Sequence, residues 1–160
     1  MILEILINIG CSFAGTIAYA IIFNVPKKNY ISCGFTGAAG WMVYKIIVDY
    51  LMFSAATATF WGTLVVVLIS RILTVKQKCP ITIFLVSAII PLVPGVGIYF
   101  TAYYLVTNQL SLAVVQGMSS IKIAFAIVLG IILVVSIPRQ FFQLGYWKQR
   151  RVILRRVRKG

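Results

Sequence analysis

Histidine is absent from the sequence, and acidic residues are nearly absent: Glu4 and Asp49 are the only two. Without an imidazole, the chain cannot assemble a Ser-His-Asp triad or a histidine-based proton shuttle. The two carboxyl groups are far apart in the sequence and therefore give no local pair for general acid and base catalysis. These absences argue against an enzyme.

Cysteine is scarce as well, with Cys11, Cys33 and Cys79 as its three occurrences. They are scattered and form no CxxC pair, whereas a zinc site needs about four nitrogen or sulfur ligands at short spacing. Two of the three lie inside apolar segments, which argues against a disulfide framework. We therefore expect no metal site, and the sequence indicates no cofactor.

Charge of either sign is rare, since charged residues make up 11% of the chain and hydrophobic residues 61%, with a mean hydropathy of +1.02. A water-soluble domain carries about 25% charged residues because water must wet its surface. Most of this surface must therefore face a solvent other than water. The composition is typical of an integral membrane protein.

Five apolar segments are long enough to cross a bilayer, which takes about 20 residues per helix. They cover residues 5–23, 31–48, 55–73, 81–106 and 118–137. The sequence thus predicts an all-α integral membrane protein, with a five-helix transmembrane domain at 1–138 and a basic tail at 139–160. Because prolines and glycines interrupt the fourth segment, we expect that helix to be broken.

The basic residues predict an orientation, because cytoplasmic connections are enriched in Lys and Arg. Apart from Lys45 and Lys122, they all fall after the first, third or fifth segment or, as Arg71 does, at the end of the third. The pattern predicts a multi-pass protein of the inner (plasma) membrane, with its N-terminus outside and its C-terminus in the cytoplasm.

The tail has the pattern of a basic amphipathic helix. Its apolar side would carry Phe142, Tyr146, Ile153 and Val157, and its basic side Lys148, Arg151, Arg155 and Arg158. Such a helix can bind anionic lipids at the cytoplasmic leaflet; a merely solvated tail is the alternative. The net charge of +13 could suggest nucleic acid in a soluble protein, but here we expect no nucleic-acid partner.

The fourth segment contains the sharpest motif, in which Pro91, Pro94, Gly95 and Gly97 fall within seven residues. Prolines remove backbone donors and glycines favour non-helical backbone. Unwound backbone survives in a membrane only where protein shelters it or where it lines a wet cavity. Transporters use such breaks to present helix N-terminal amides, here those of Val96 and Gly97, to an anionic substrate. We expect a substrate path lined by Pro91, Pro94, Gly95, Val96, Gly97 and Tyr99; a simple proline kink is the alternative.

Lys45 lies inside the second segment, with Asp49 one helical turn later. An ionisable residue within a membrane span is a functional hypothesis by default. Lys45 could contact a substrate carboxylate, and Asp49 could carry a proton. The alternative is a local ion pair between positions i and i+4 with both side chains reaching outward to water.

Three stretches resemble the small, YjjB-like membrane subunit of the threonine/serine exporter (ThrE) family. They are Phe23-Asn24-Val25-Pro26, Gly37-Ala38-Ala39-Gly40-Trp41, and Ile90-Pro91-Leu92-Val93-Pro94-Gly95 leading to Tyr99. Asn24, Pro26, Gly37 and Gly40 match the family's structural motifs. One departure is Ser87-Ala88, where relatives carry a second Pro-Gly pair.

The resemblance implies secondary export of small hydrophilic metabolites, chiefly threonine and serine, and in related split systems dicarboxylates such as succinate. It implies coupling to the proton-motive force and a larger polytopic partner subunit of the same family. The small carboxylate-bearing substrate stays open between these classes. A non-conducting structural or assembly subunit is the alternative function, and a holin-like pore is disfavoured by the doubled proline motif.

Overall fold

The computed structural model describes residues 2–137, with side chains from residue 4 onward, so the predicted basic tail at 139–160 lies outside the described residues. All regular structure in this range is helical. The helices are α1 (Ile2–Ile22), α2 (Tyr30–Asp49), α3 (Ala55–Gln77), α4 (Ile81–Ile89), α5 (Gly95–Val106) and α6 (Leu110–Ser136), with 3-10 turns at Lys27–Asn29 and Ile90–Leu92. The predicted all-α membrane class is confirmed.

Helices α1, α2, α3 and α6 are each long and apolar enough to cross a bilayer, and α4 with α5 forms a span bent by 52°. The predicted break in the fourth span is therefore confirmed. The last helix differs from expectation, because it begins at Leu110 and not at residue 118. Helix α6 continues through Gly117, which packs against Thr101 of α5.

Helices α4 and α5 together run from one end of the bundle to the other. Gly130 of α6 contacts Thr63 of α3, and further along both helices Arg71 bonds to the backbone of Val135. Helices α3 and α6 therefore run parallel, which requires α4 and α5 together to return the chain to the opposite end. A re-entrant loop would have left α6 antiparallel to α3, so the described residues form five candidate membrane spans.

The two ends of the bundle differ in charge. At one end, Gln77 Nε2 donates to Ser32 Oγ at 2.8 Å, which joins the end of α3 to the start of α2. The connections there carry Lys27, Lys28, Lys76 and Lys78, and we name it the basic end. We name the other end, where α1 begins and α2 stops at Asp49, the acidic end.

The FNVP stretch is the helix stop of α1. Asn24 has a left-handed φ of 53°, and the amide of Asn24 donates to Ile21 O while that of Val25 donates to Ala20 O, both at 3.0 Å. These bonds satisfy the last carbonyls of the helix in a Schellman motif. Val25 is buried in one cluster with Ala20, the apolar contact that accompanies this motif, and Pro26 then begins the turn to α2.

Small residues set the helix crossings, as is usual where lipid gives no hydrophobic force between helices. A Cβ atom added to Gly34 of α2 would lie 2.6 Å from the Phe13 ring of α1, and one added to Gly37 would collide with Thr16. A Cβ atom at Gly130 of α6 would lie 2.9 Å from Thr63 Cγ2. The bundle can close at these points only because glycine has no side chain.

The interior contains many hydroxyl groups, and most bond within their own helices. The hydroxyls of Thr16, Thr36, Thr59 and Ser70 each donate at 2.7 Å to the carbonyl four residues earlier. A hydroxyl bonded in this way loses little when it is removed from water. These buried hydroxyls are therefore compatible with packing and offer few free polar groups between the helices.

Candidate functional site: the broken span and an acidic cleft

The break in the fourth span consists of residues 90–94. Pro91 lies in a 3-10 turn, Val93 has extended backbone (φ −67°, ψ 134°), and Pro94 precedes the first residue of α5. The amide of Gly95 donates back to Val93 O at 2.8 Å, and that of Ile98 donates to Pro94 O at 3.0 Å. The two prolines remove the donors that a continuous helix would need, so the span bends here.

Leu92 anchors the break in the bundle. It is 5% exposed and belongs to a buried cluster with Val66 and Ala88. Its side chain lies against Gly62 of α3 and Gly40 of α2, where a Cβ atom added to Gly62 would be 2.9 Å from Gly40 O and 3.3 Å from Leu92 Cδ2. The crossing of α2 and α3 thus forms a seat for Leu92, which we call the glycine seat.

Residues after Pro94 face away from the glycine seat. Val96 is 70% exposed and Tyr99 65% exposed, and α5 contains no buried residue. Helix α5 packs against α6, where a Cβ atom added to Gly97 would collide with Ser120. The Val96 and Gly97 amides have no partner within their own helix, as first-turn amides never do. The structure brings these residues together at the start of α5 but does not bury them.

The predicted structural residues occupy distinct places. Asn24 and Pro26 form the stop of α1, and Gly37 lies at the crossing of α1 and α2. Gly40 alone among them touches the break, through the glycine seat. Sequence reasoning missed Leu92 and Gly62; the only signals for them were that Leu92 lies between the two prolines and that Gly62 is a lone glycine within a long apolar helix.

Lys45 and Asp49 form the predicted local pair, with Lys45 Nζ 3.0 Å from Asp49 Oδ2. Their side chains are 38% and 46% exposed. Both side chains line a cleft of about 680 Å³ that lies between α1 and α2 at the acidic end. Its walls are Glu4, Ile5, Asn8, Ile9, Trp41, Met42, Lys45, Ile46, Asp49 and Tyr50.

Glu4 is the functional candidate that sequence reasoning did not find. It lies in the first turn of α1, and its backbone carbonyl accepts a 2.8 Å hydrogen bond from Asn8 Nδ2. The pairing of α1 with α2 brings Glu4 into the cleft that also holds Asp49. No sequence pattern links the two positions, because their meeting depends on how two helices cross.

The shape of the cleft follows from the residues along α2. Near the basic end, Gly34 and Gly37 let α1 approach closely; towards the acidic end, Trp41 and Met42 stand between the helices and line the gap. Trp41 also stacks on Tyr44, with ring centroids 5.1 Å apart, and both rings pack against the Leu92 cluster. One aromatic pair therefore separates the cleft from the glycine seat.

Within residues 2–137, no three His, Cys, Asp or Glu side chains are grouped so that they could hold a metal ion. The chemistry available at the acidic end is that of one ammonium, two carboxylates, one amide and an aromatic wall. Such groups suit binding of a small charged molecule.

The sequence matches a protein family described as "Threonine/Serine exporter, ThrE" over residues 8–137. It is also 31% identical over 83 residues to an uncharacterized protein of Haemophilus influenzae, an alignment that covers 52% of this chain and 28% of that protein. The chain thus matches less than a third of the length of that relative. No solved structure matches it.

Proposed function

Because the chain belongs to the threonine/serine exporter family, we propose that it is the membrane subunit of a secondary exporter for small polar metabolites, chiefly threonine and serine. The family is one of transporters and not of enzymes, and the chain is an exporter-type, multi-pass membrane protein. The proposal extends to a larger polytopic partner of the same family and to coupling with the proton-motive force.

The observation that carries the proposal is the broken fourth span with Leu92 held in the glycine seat. Irregular backbone in a bilayer persists where protein shelters it, and secondary transporters use such breaks at their substrate sites. In the proposed mechanism, the span hinges at Val93 to Gly95. Helix α5 moves with α6 and pulls the adjoining 3-10 turn with it, so that Leu92 is withdrawn and the crossing of α2 and α3 opens.

The proposed orientation has the basic end in the cytoplasm and the acidic end outside. Lys27, Lys28, Lys76 and Lys78 support it by the positive-inside rule, and the eight basic residues of the tail agree. Anionic lipids of the inner leaflet would hold that tail. In this arrangement, substrate passes the break from the cytoplasmic side and leaves through the cleft that holds Lys45 and Asp49.

A second candidate function is a non-conducting subunit that stabilises its partner. It is favoured by the buried hydroxyls, most of which bond within their own helices and so leave few polar groups to line a route. Efflux of labelled serine, threonine and succinate from loaded cells, with and without the partner, separates the candidates. A conducting subunit changes the efflux rate when its own break is altered, whereas a stabilising subunit does not.

The variant for this test is Gly95→Leu, with Gly15→Leu as its matched control. A Cβ atom at either glycine meets nothing within 4 Å, so both variants should insert and reach the membrane in normal amounts. We expect Gly95→Leu to abolish export, because a side chain at this position stiffens the backbone of the hinge, and Gly15→Leu to retain it. Normal efflux from Gly95→Leu would remove the break from the substrate path.

A further inference from the structure

The cleft at the acidic end holds both acidic residues of the whole sequence. The chain carries 15 basic residues against these two acids, yet Glu4 and Asp49 come together from different helices. Lys45 is the one basic side chain among the lining residues. The described residues that line this cleft therefore present two carboxylates and one ammonium, in a chain with a net charge of +13.

The ion pair in the cleft is poorly explained as a structural device. Both partners are well exposed, and an exposed pair of this kind adds little to stability. Asp49 is the last residue of α2, where the helix dipole disfavours an anion and favours a cation. A ligand ammonium at this place would interact favourably both with Asp49 and with the last carbonyls of α2, so the arrangement suits a bound cation.

The dimensions of the cleft suit a small metabolite. Its volume of about 680 Å³ lies within the range of roughly 300–1,000 Å³ found for small-molecule sites. Trp41 and Ile46 supply apolar wall, and the Asn8 side chain adds a polar group. A mostly apolar cavity with a few convergent polar groups is the usual design of a site that fixes the orientation of its ligand.

We propose that the cleft binds the zwitterion of an α-amino acid, with the ligand carboxylate at Lys45 Nζ and the ligand ammonium between Asp49 and Glu4. The carboxylate and ammonium of such a ligand are attached to one carbon atom, and the 3.0 Å separation of Lys45 Nζ from Asp49 Oδ2 presents opposite charges at a matching spacing. The inference rests on the proposed function and deepens it by assigning a release site.

The same charges select against a dicarboxylate. A dianion such as succinate would meet two carboxylates and one ammonium, and like charges at close range repel. The cleft therefore favours threonine and serine over succinate. A phosphoethanolamine lipid headgroup shares the zwitterionic chemistry, so the test must tell the free amino acid from the lipid.

Binding is measured on the purified full-length chain with Trp61→Phe and Trp147→Phe, which leave Trp41 in the cleft as the only tryptophan. The protein is held in bilayer discs of phosphatidylcholine, and Trp41 fluorescence is recorded against each ligand. L-Threonine and L-serine should give saturable changes. Threonine methyl ester and N-acetylthreonine, which each lack one charge, should bind roughly tenfold or more weakly, as loss of a hydrogen bond to a charged group implies.

The variants assign the charges. Lys45→Gln should weaken threonine binding by roughly tenfold or more, and so should Glu4→Gln combined with Asp49→Asn. Lys122→Gln is the matched control, since Lys122 is exposed on α6 and does not line the cleft; it should bind threonine normally. Three results would each overturn the assignment. Lys45→Gln could bind threonine as tightly as the unsubstituted protein, or succinate could give a fluorescence response as strong as that of threonine. The third is a response to glycerophosphoethanolamine in place of threonine.

Efflux from cells that contain the partner separates this inference from the proposed function. In one outcome, Lys45→Gln does not change serine and threonine efflux, and the purified chain does not bind these amino acids. This outcome overturns the proposed site but is compatible with an exporter. Threonine binding that depends on Lys45, in a wild-type protein that exports neither amino acid, supports the site and overturns the exporter.

Discussion

Gly62→Ala is the substitution that tests the glycine seat most directly. The added Cβ atom would lie 2.9 Å from the Gly40 carbonyl oxygen and 3.3 and 3.4 Å from the two methyl groups of Leu92. The first contact is to backbone of the neighbouring helix, so it cannot be relieved by rotating a side chain. Helices α2 and α3 must move apart by several tenths of an ångström, and overpacking of this kind costs about 1–3 kcal/mol.

The same substitution changes helix propensity, which favours alanine over glycine by about 1 kcal/mol in water. Gly15→Ala is therefore the matched control, because Gly15 also lies inside a long helix but a Cβ atom there meets nothing within 4 Å. The gain in helix propensity is common to both variants. The difference between their unfolding free energies therefore isolates the steric cost of the Cβ atom at Gly62. We expect Gly62→Ala to be less stable than Gly15→Ala by about 1–3 kcal/mol.

The assay is unfolding of the purified chain in detergent micelles, followed by circular dichroism for both variants under identical conditions. The efflux assay is run in parallel, where Gly62→Ala should alter the rate because Leu92 loses its seat, and Gly15→Ala should not. Equal unfolding free energies for the two variants would refute the close crossing of α2 and α3. The proposed gate at Leu92 would then have no structural basis.

Three further predictions concern other parts of the bundle. Asn24→Gly should keep the stability of the chain and Asn24→Val should lower it by about 1–2 kcal/mol, because only the glycine accepts the left-handed backbone at this helix stop; thermal unfolding of both variants checks this. Arg71→Met should loosen the end of α6, since Arg71 donates to Val135 O at 2.7 Å and to Ile137 O, and faster amide hydrogen exchange in the last turn would report it. Thr63→Val should stabilise the protein by about 1 kcal/mol, because the buried Thr63 hydroxyl has no hydrogen-bond partner among the described residues. Thr59→Val is the control and should not stabilise the protein, since it loses a 2.7 Å hydrogen bond to Ala55 O. A gain in unfolding free energy in both variants would contradict the reasoning.

Local chemistry made part of the site predictable. The two prolines of the fourth segment removed backbone donors, and the break lies where they predicted it. Gly95 and Gly97, which were expected to favour non-helical backbone, both lie within α5 and neither has a positive φ. The spacing of Lys45 and Asp49 predicted an ion pair, and the pair forms. The roles assigned to these residues in a substrate path stay predictions, as do the orientation in the membrane and the basic tail.

Other features could not be read from the sequence. The close approach of α5 and α6 at Gly117 and Thr101 depends on which faces of these helices meet. The place of Glu4 beside the cleft depends on how α1 crosses α2. Each of these is a contact between helices and leaves no mark on the local pattern of residues.

The sequence alone predicted that hydrocarbon surrounds most of this chain, that its apolar segments form five spans, and that the fourth span is interrupted. Hydropathy, proline and glycine act on the residues that carry them and their immediate neighbours, so these properties are local. Only the tertiary structure decided which faces of the helices meet, that Leu92 fills the gap between Gly40 and Gly62, and that the two acids share one cleft. In a bilayer the lipid is as apolar as the protein interior, so Leu, Ile and Val occur both on exposed faces and in the core. Hydropathy therefore does not distinguish the packed faces of the helices from those that face lipid.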